Sequence, residues 1–366
     1  MAYKATSDRS LFITANVLVI FGLVMLYSAS SVMASYQHDG MSAYYFLRQL
    51  VYAGVGYVLM VALMNTDYHI WQRKRLLAAL VIGSVASLIL VRAAPAVNGA
   101  HRWLRHGSVS FQPSEVAKIV LVIFLAAYLQ RHEPEINRFR QKLLPCLLLV
   151  ALFAGLIGIE PDLGQSVCLL LIVFVLLFIA GLSWKYVVAA IITGVPSVCL
   201  AVLLFPYEFH RIATYLNSKQ DPLGKGWQIS QSLTAVGSGG ILGLGLGASK
   251  QKLFFLPEAH SDFIFAVIGE ELGLIGTILV CLAFLFYFYR GIKIALKAPD
   301  QFGFYLGLGI TLMVVMQAFI NISMVLALMP TKGIALPFMS QGGSSLLLNL
   351  MATGILLNIS NYVEKA

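Results

Sequence analysis

Long apolar stretches alternate with short polar ones along almost the whole chain. A helix needs about 20 apolar residues to cross the hydrocarbon core, and about ten stretches qualify. They fall at 11–33, 46–64, 76–92, 114–130, 143–159, 164–182, 186–206, 272–290, 302–328 and 345–362. The runs are continuous rather than short and alternating, which argues against a membrane barrel. The pattern predicts an all-α polytopic membrane protein, a single membrane domain over 1–366. Residues 207–261, between the seventh and eighth spans, are expected to form a large extracytoplasmic loop within it. The first apolar run is too long for a signal-peptide core, so it is expected to stay as an anchor.

Composition strengthens this reading. Of 366 residues, 59% are hydrophobic and 11% charged, against about 25% charged in a soluble domain. The net charge of +9 comes from basic residues gathered in short loops: QRKR (72–75), RFRQK (138–142), Lys185 and RGIKIALK (290–297). That distribution orients helices in a bilayer and gives no reason to invoke nucleic acid. With those loops inside, both termini are cytoplasmic, and Arg102 and Arg105 fall outside against the rule. Cys146, Cys168, Cys199 and Cys281 lie in apolar runs without disulfide or metal spacing. The histidines show no zinc motif, and neither a P-loop nor a GxSxG elbow is present.

The segment FFLPEAHSDFIFAVIGEELG, 254–273, keeps three acids beside an apolar run: Asp262, Glu270 and Glu271. Since 272–289 alone can span, 262–271 reads as an extra outer turn or a short interfacial helix. On a continuous helix Asp262 and Glu270 differ by about 80° of azimuth and could share a cavity, while Glu271 faces elsewhere. The HSD triplet has the signature of a helix N-cap, in which the Asp side chain accepts backbone N–H bonds. An acid at the membrane–water boundary is equally a candidate general base or cation ligand.

Glu115 and Lys118 stand three apart at the start of the fourth span, where the two charges can meet. They read either as groups facing a polar cavity or as a neutralised pair joining two helices. The run GSGGILGLGLG (237–247) does not fit a dinucleotide fingerprint. It is expected as a bendable hairpin, with a backbone nest for a phosphate as the alternative. MPTKGIALPFMSQGGSS (329–345) ends directly before the last span. Its Lys332 and the Ser340, Gly342, Gly343 and Ser344 stretch at a helix start suit a pyrophosphate. From the residues alone, an outward polar cavity holding Asp262, Glu115, Lys118, Lys332 and Arg102 fits a transporter or an enzyme acting on a lipid.

NGAHRWL, FQPSEVAKI, EPDLGQS, QDPLGKGWQISQSLTAVGSGG, FLPEAHSDFIFAVIGEELG and PTKGIALPFMSQGGSS together resemble the SEDS family (shape, elongation, division and sporulation), in order and over nearly the whole chain. Lys332 and its surrounding motif resemble the division branch more than the elongation branch. Ser261 stands where the family pattern suggests Thr, and Gln341 where it suggests Tyr. The resemblance implies a peptidoglycan glycosyltransferase of the bacterial cytoplasmic membrane, polymerising lipid II at the division septum. It implies a class B penicillin-binding protein and other division proteins as partners. Asp262 matches the family's essential acid, and Glu115 and Lys118 its polar pair. A divalent cation, Mg or Mn, is a candidate cofactor on Asp262, and no organic cofactor is expected. The rival readings are a lipid II flippase and a non-enzymatic division scaffold.

Overall fold

The computed structural model describes residues 7–95, 101–106, 109–160, 162–204, 206–217, 224 and 226–362. In chain order the helices are α1 (Arg9–Gln37), α2 (Tyr44–Met64), α3 (Lys74–Leu90), α4 (Pro113–His132), α5 (Leu144–Ile159) and α6 (Leu163–Ile179). Then come α7 (Trp184–Leu204), α8 (Pro206–Leu216), α9 (Trp227–Ser238), α10 (Ile264–Leu296), α11 (Gln301–Val325) and α12 (Gly343–Ser360). Among the described residues, eight helices are long and apolar enough to cross a membrane, and α6 and the first part of α7 are shorter apolar helices. The chain is a multi-pass membrane protein. A hairpin of β1 (Leu104–His106) and β2 (Val109–Phe111), with Leu104 opposite Phe111, precedes α4.

Burial sorts the helices into layers. The apolar windows of α4, α11 and α12 are 78%, 78% and 83% buried, against 17% and 22% in the windows holding α3 and α2. The first three form the centre, and the others turn large apolar side chains such as Val58, Ile82 and Leu148 outward. Such faces are stable only against lipid or another helix. Small residues let the centre close up: a methyl group at Gly354 of α12 would lie 2.5 Å from the Met60 carbonyl of α2.

The basic loops sit together at one end. Arg131 donates to the Gln72 carbonyl, Asn137 to the Gly181 carbonyl, and Arg290 pairs with Asp8. Asp262 lies at the opposite end, before α10 begins.

α10 is interrupted at Gly273, whose φ of 65° and ψ of −160° no helix contains. Ile264 to Ile268 are fully enclosed, whereas Leu274, Ile275 and Ile278 beyond the break are exposed. A short buried helix therefore precedes the spanning part. The Gly-rich run lies against this break: Leu244 N donates to the Glu270 carbonyl and Leu274 N to the Gly240 carbonyl. A methyl group at Gly239 would lie 1.9 Å from the Gly269 carbonyl oxygen. Both expectations for 237–247, a bendable hairpin and a phosphate nest, give way to this pairing, because its backbone N–H groups at Leu244 and Gly245 are already bonded to α10. The described part of 207–261 holds most of α8 and the whole of α9.

Candidate active site

Asp262 is not a cap. Phe263 occupies the N-cap position of α10, without a side-chain cap bond. The Asp262 main chain is fixed instead: Asn321 Nδ2 of α11 donates to the Asp262 carbonyl at 2.8 Å and to the Ile334 carbonyl at 2.7 Å. One amide thus ties the segment before α10 to the 330–341 loop. Asp262 as a whole residue is partly exposed. A methyl group at Gly333 would lie 3.5 Å from Asp262 Oδ2 and 3.7 Å from Arg102 Nη1.

Arg102 is held from the opposite side. Its Nε donates to the Glu160 carbonyl at 3.2 Å and lies 3.9 Å from Asp162 Oδ2. Asp162 caps α6, accepting from Gln165 N at 3.3 Å. Lys332 lays its stem on the same turn: a methyl group at Gly164 would lie 3.2 Å from Lys332 Cδ. Asp262, Arg102 and the Lys332–Gly333 turn therefore converge from the segment before α10, the loop before the hairpin, and the loop before α12.

The charges shape one another. Loss of water, then the neighbouring Glu258 charge, pushes the Asp262 carboxyl up to about 7, against the pull of Arg211 and Arg102. Burial and the Asp162 charge push Glu160 up to about 8. Both Glu160 side-chain oxygens are buried without a hydrogen-bond partner, which a neutral acid tolerates better than a carboxylate. Burial also raises Asp162, with Arg102 opposing.

Glu115 and Lys118 stand behind Asp162, on which both charges act, and are reached through Gln165. Lys118 Nζ donates to Glu115 Oε1 at 3.0 Å and to Gln317 Oε1 at 2.8 Å. Gln165 donates to the same Glu115 oxygen at 2.9 Å, and Gln317 Nε2 to the Ala335 carbonyl at 3.0 Å. With 4% and 1% exposure they are interior groups, matching the neutralised pair that joins helices and not the groups facing a polar cavity. Their chain of bonds joins α4, α6 and α11 and supports the 330–341 loop from below.

The stretch before α12 is likewise engaged by protein. Ser340 Oγ accepts from Leu336 N, and the Gly342 N–H donates to Gln49 Oε1 at 3.3 Å. Ser344 Oγ donates to the Ser110 carbonyl, and a methyl group at Gly343 would meet the Tyr52 ring at 2.4 Å. In place of the expected anion pocket, Gln49 takes the Gly342 N–H and the Tyr52 ring covers Gly343. Further up the same run, Gly333 borders Asp262, and Lys332 beside it lies against Gly164.

Glu270 does not share a cavity with Asp262, because Asp262 precedes the helix. Glu270 binds Ser249 Oγ and accepts from Lys250 N at 2.9 Å. Glu271 pairs with Lys252 at 2.7 Å and accepts from Ser28 Oγ. Among the described residues no three His, Cys, Asp or Glu side chains converge as a metal set. Pattern reading missed Glu160, Asp162, Arg211, Gln317 and Asn321. The signals were a D-x-x-Q cap at 162–165 and two amides four apart inside the span at 302–328.

A helical multi-pass membrane protein with Asp262 and neighbouring acids set among cations at one end of the bundle is the class defined here. The pattern of a cell cycle protein family (FtsW, RodA and SpoVE) matches residues 8–365, and the chain belongs to that family. It is 40% identical over 365 residues to a probable peptidoglycan glycosyltransferase FtsW of Geobacter sp. (strain M18), covering 98% of each. It is 43% identical over 360 residues to stage V sporulation protein E of Bacillus subtilis (strain 168), again 98% of each. Among solved structures it resembles a chain of a peptidoglycan synthase complex that coordinates polymerization and crosslinking, with TM-score 0.80, 29% identity and 97% coverage of both. It also resembles the rod shape determining protein RodA of Thermus thermophilus, with TM-score 0.69, 26% identity and 98% coverage of both.

Proposed function

We propose that this protein is a peptidoglycan glycosyltransferase that polymerises lipid II at the outer face of the bacterial cytoplasmic membrane during septal wall synthesis. The observation that carries the reading is the placement of Asp262: a carboxylate on a partly exposed residue, beside Arg102 and the Lys332 loop, at the end of the bundle away from the basic loops. Family membership and relatives named as glycosyltransferases support it. With the basic loops inside, Asp262 faces outward. Both termini then face the cytoplasm, although residues 1–6 and 363–366 lie outside the described residues.

The sugar 4-hydroxyl of one lipid II attacks the anomeric carbon of the lipid-linked strand. The new C–O bond forms as the bond to pyrophosphate breaks, and undecaprenyl pyrophosphate leaves with inversion from α to β. Asp262 takes the hydroxyl proton; a base with a pKa near 7 matches neutral pH. Arg102 and Lys332 meet the negative charge that grows on the leaving group. Glu115 and Lys118 act from beneath by holding the Lys332 loop in place. A divalent cation on Asp262 would need most of its ligands from the pyrophosphate, and no step here runs through it. The membrane confines both substrates to one plane, which favours their encounter.

The partners we assign are the lipid-linked substrates, a class B penicillin-binding protein that crosslinks the strands, and other division proteins. The synthase complex among its structural relatives supports the crosslinking partner. A flippase would need a polar route to both faces, but the polar groups below Asp262 are bonded to one another. Purified protein with its partner and labelled lipid II in detergent separates these readings, since flipping leaves no polymer. Polymer is expected; intact lipid II, with transport retained in vesicles, would overturn the assignment.

A further inference from the structure

The C-terminal end of α1 stands clear of the hydrocarbon. Its 29 residues make about 43 Å of helix at 1.5 Å per residue, against a core about 30 Å thick. With charged Arg9 at one boundary, the turns beyond Ala29 reach water. A groove of about 670 Å³ opens there, lined by Tyr27, Ser31, Ser35, Tyr36, Ser42 and Phe254.

Two aromatic rings flank that groove. Tyr36 and Phe254 are 80% and 52% exposed, with centroids 5.5 Å apart and planes at 73°. Phe254 has a φ of 68°, a rare conformation for an aromatic residue, and such outliers cluster at functional sites. The turn is held on both sides: Leu256 N donates to the Gln251 carbonyl, and Trp227 Nε1 to the Phe255 carbonyl. The segment from Phe254 then runs towards the candidate active site. Tyr45 lies 4.9 Å from His260, whose carbonyl accepts from Gln341 N, and Asp262 follows two residues later.

This surface matches a sugar chain better than acyl chains. A pyranose buries its C–H face on an aromatic ring and offers a rim of hydroxyls to polar side chains. Ser31 and Ser35 of α1 and Ser42 beyond it line the groove beside Val32 and offer such hydroxyl partners. A strand made at Asp262 has to leave on the water side, and this groove lies there, connected by one short segment. We propose that Tyr36 and Phe254, over Ser31 and Ser35, form a subsite for the emerging β-linked amino-sugar strand, several sugars from the bond being made. The proposal rests on the glycosyltransferase reading.

Binding and strand length test it. Asp262→Asn protein, full length and with its partner, is titrated with soluble β-1,4-linked GlcNAc–MurNAc oligosaccharides. Adding Tyr36→Ser and Phe254→Ala should weaken binding about tenfold or more, and Phe254→Trp should retain it. In otherwise unaltered protein, the same pair should shorten strands severalfold on a sizing gel. Equal binding and equal strand length would overturn the subsite. So would loss of partner stimulation alone, with binding and length kept, because the groove would then be a protein contact. Failure of the glycosyltransferase reading shows differently, as intact lipid II and no strands from the otherwise unaltered protein with its partner.

Discussion

The Asp262 carboxylate and the Arg102 guanidinium both border the open side of Gly333, at 3.5 Å and 3.7 Å from where a methyl group would stand. Both are ordinary contact distances. Gly333→Ala is therefore expected to keep folding and most activity. Gly333→Leu should drive a side chain between acid and base and lower polymerisation at least tenfold, without a matching loss of thermal stability. Equal activity of the Leu variant would separate Gly333 from the site.

Activity should fall as pH drops through the Asp262 pKa of about 7, because a base must be ionised to accept a proton. The Glu258 charge raises that pKa, so its removal lowers it. Glu258→Gln should shift the acid limb of the pH–rate profile to lower pH. An unmoved or upward-moving limb would mean that another group sets the profile.

Lys118 and Glu115 are expected to matter through folding. Lys118→Met leaves Glu115 charged and buried, which costs about 3–5 kcal/mol. Glu115→Gln combined with Lys118→Met removes the stranded charge and should recover much of the thermal stability. Activity should stay low even then, because Gln317 loses its donor beneath the Ala335 carbonyl. If the double variant is no more stable than the single, the two charges are not coupled.

Gly273 should tolerate no side chain. Its φ is 65°, and a methyl group would lie 2.4 Å from Gly243 N. Gly273→Ala is expected to lower the melting temperature in detergent and expose the 239–252 segment to protease. A protease pattern like that of the parent would contradict the clamped arrangement of that segment on α10.

Much of the architecture was legible because length and polarity alone decide what crosses a bilayer. The division of 262–290 into an outer piece and a span was legible for the same reason, and Gly273 is where it happens. What escaped was contact across the chain. Glu270 read on a helical wheel as able to share a cavity with Asp262, with Glu271 facing elsewhere, yet Ser249 and Lys250 claim Glu270 and Lys252 pairs with Glu271, all about twenty residues earlier. Spacing brought Glu115 to Lys118 but could not supply Gln165 and Gln317, which convert the pair into an interior tie. The N–H groups before α12 looked free because Gln49 and Tyr52 are remote in sequence. Asp262 itself was found, but its local N-cap signature misled: Phe263 takes the cap position, and the acid is left to face Arg102.

The most direct measurement is polymerisation of labelled lipid II by the purified protein and its partner, with Asp262→Asn compared at matched folding and partner binding. Loss of a positioned base should cut the rate by about 100-fold or more. Strands formed by the Asn variant at the parent rate would contradict the account.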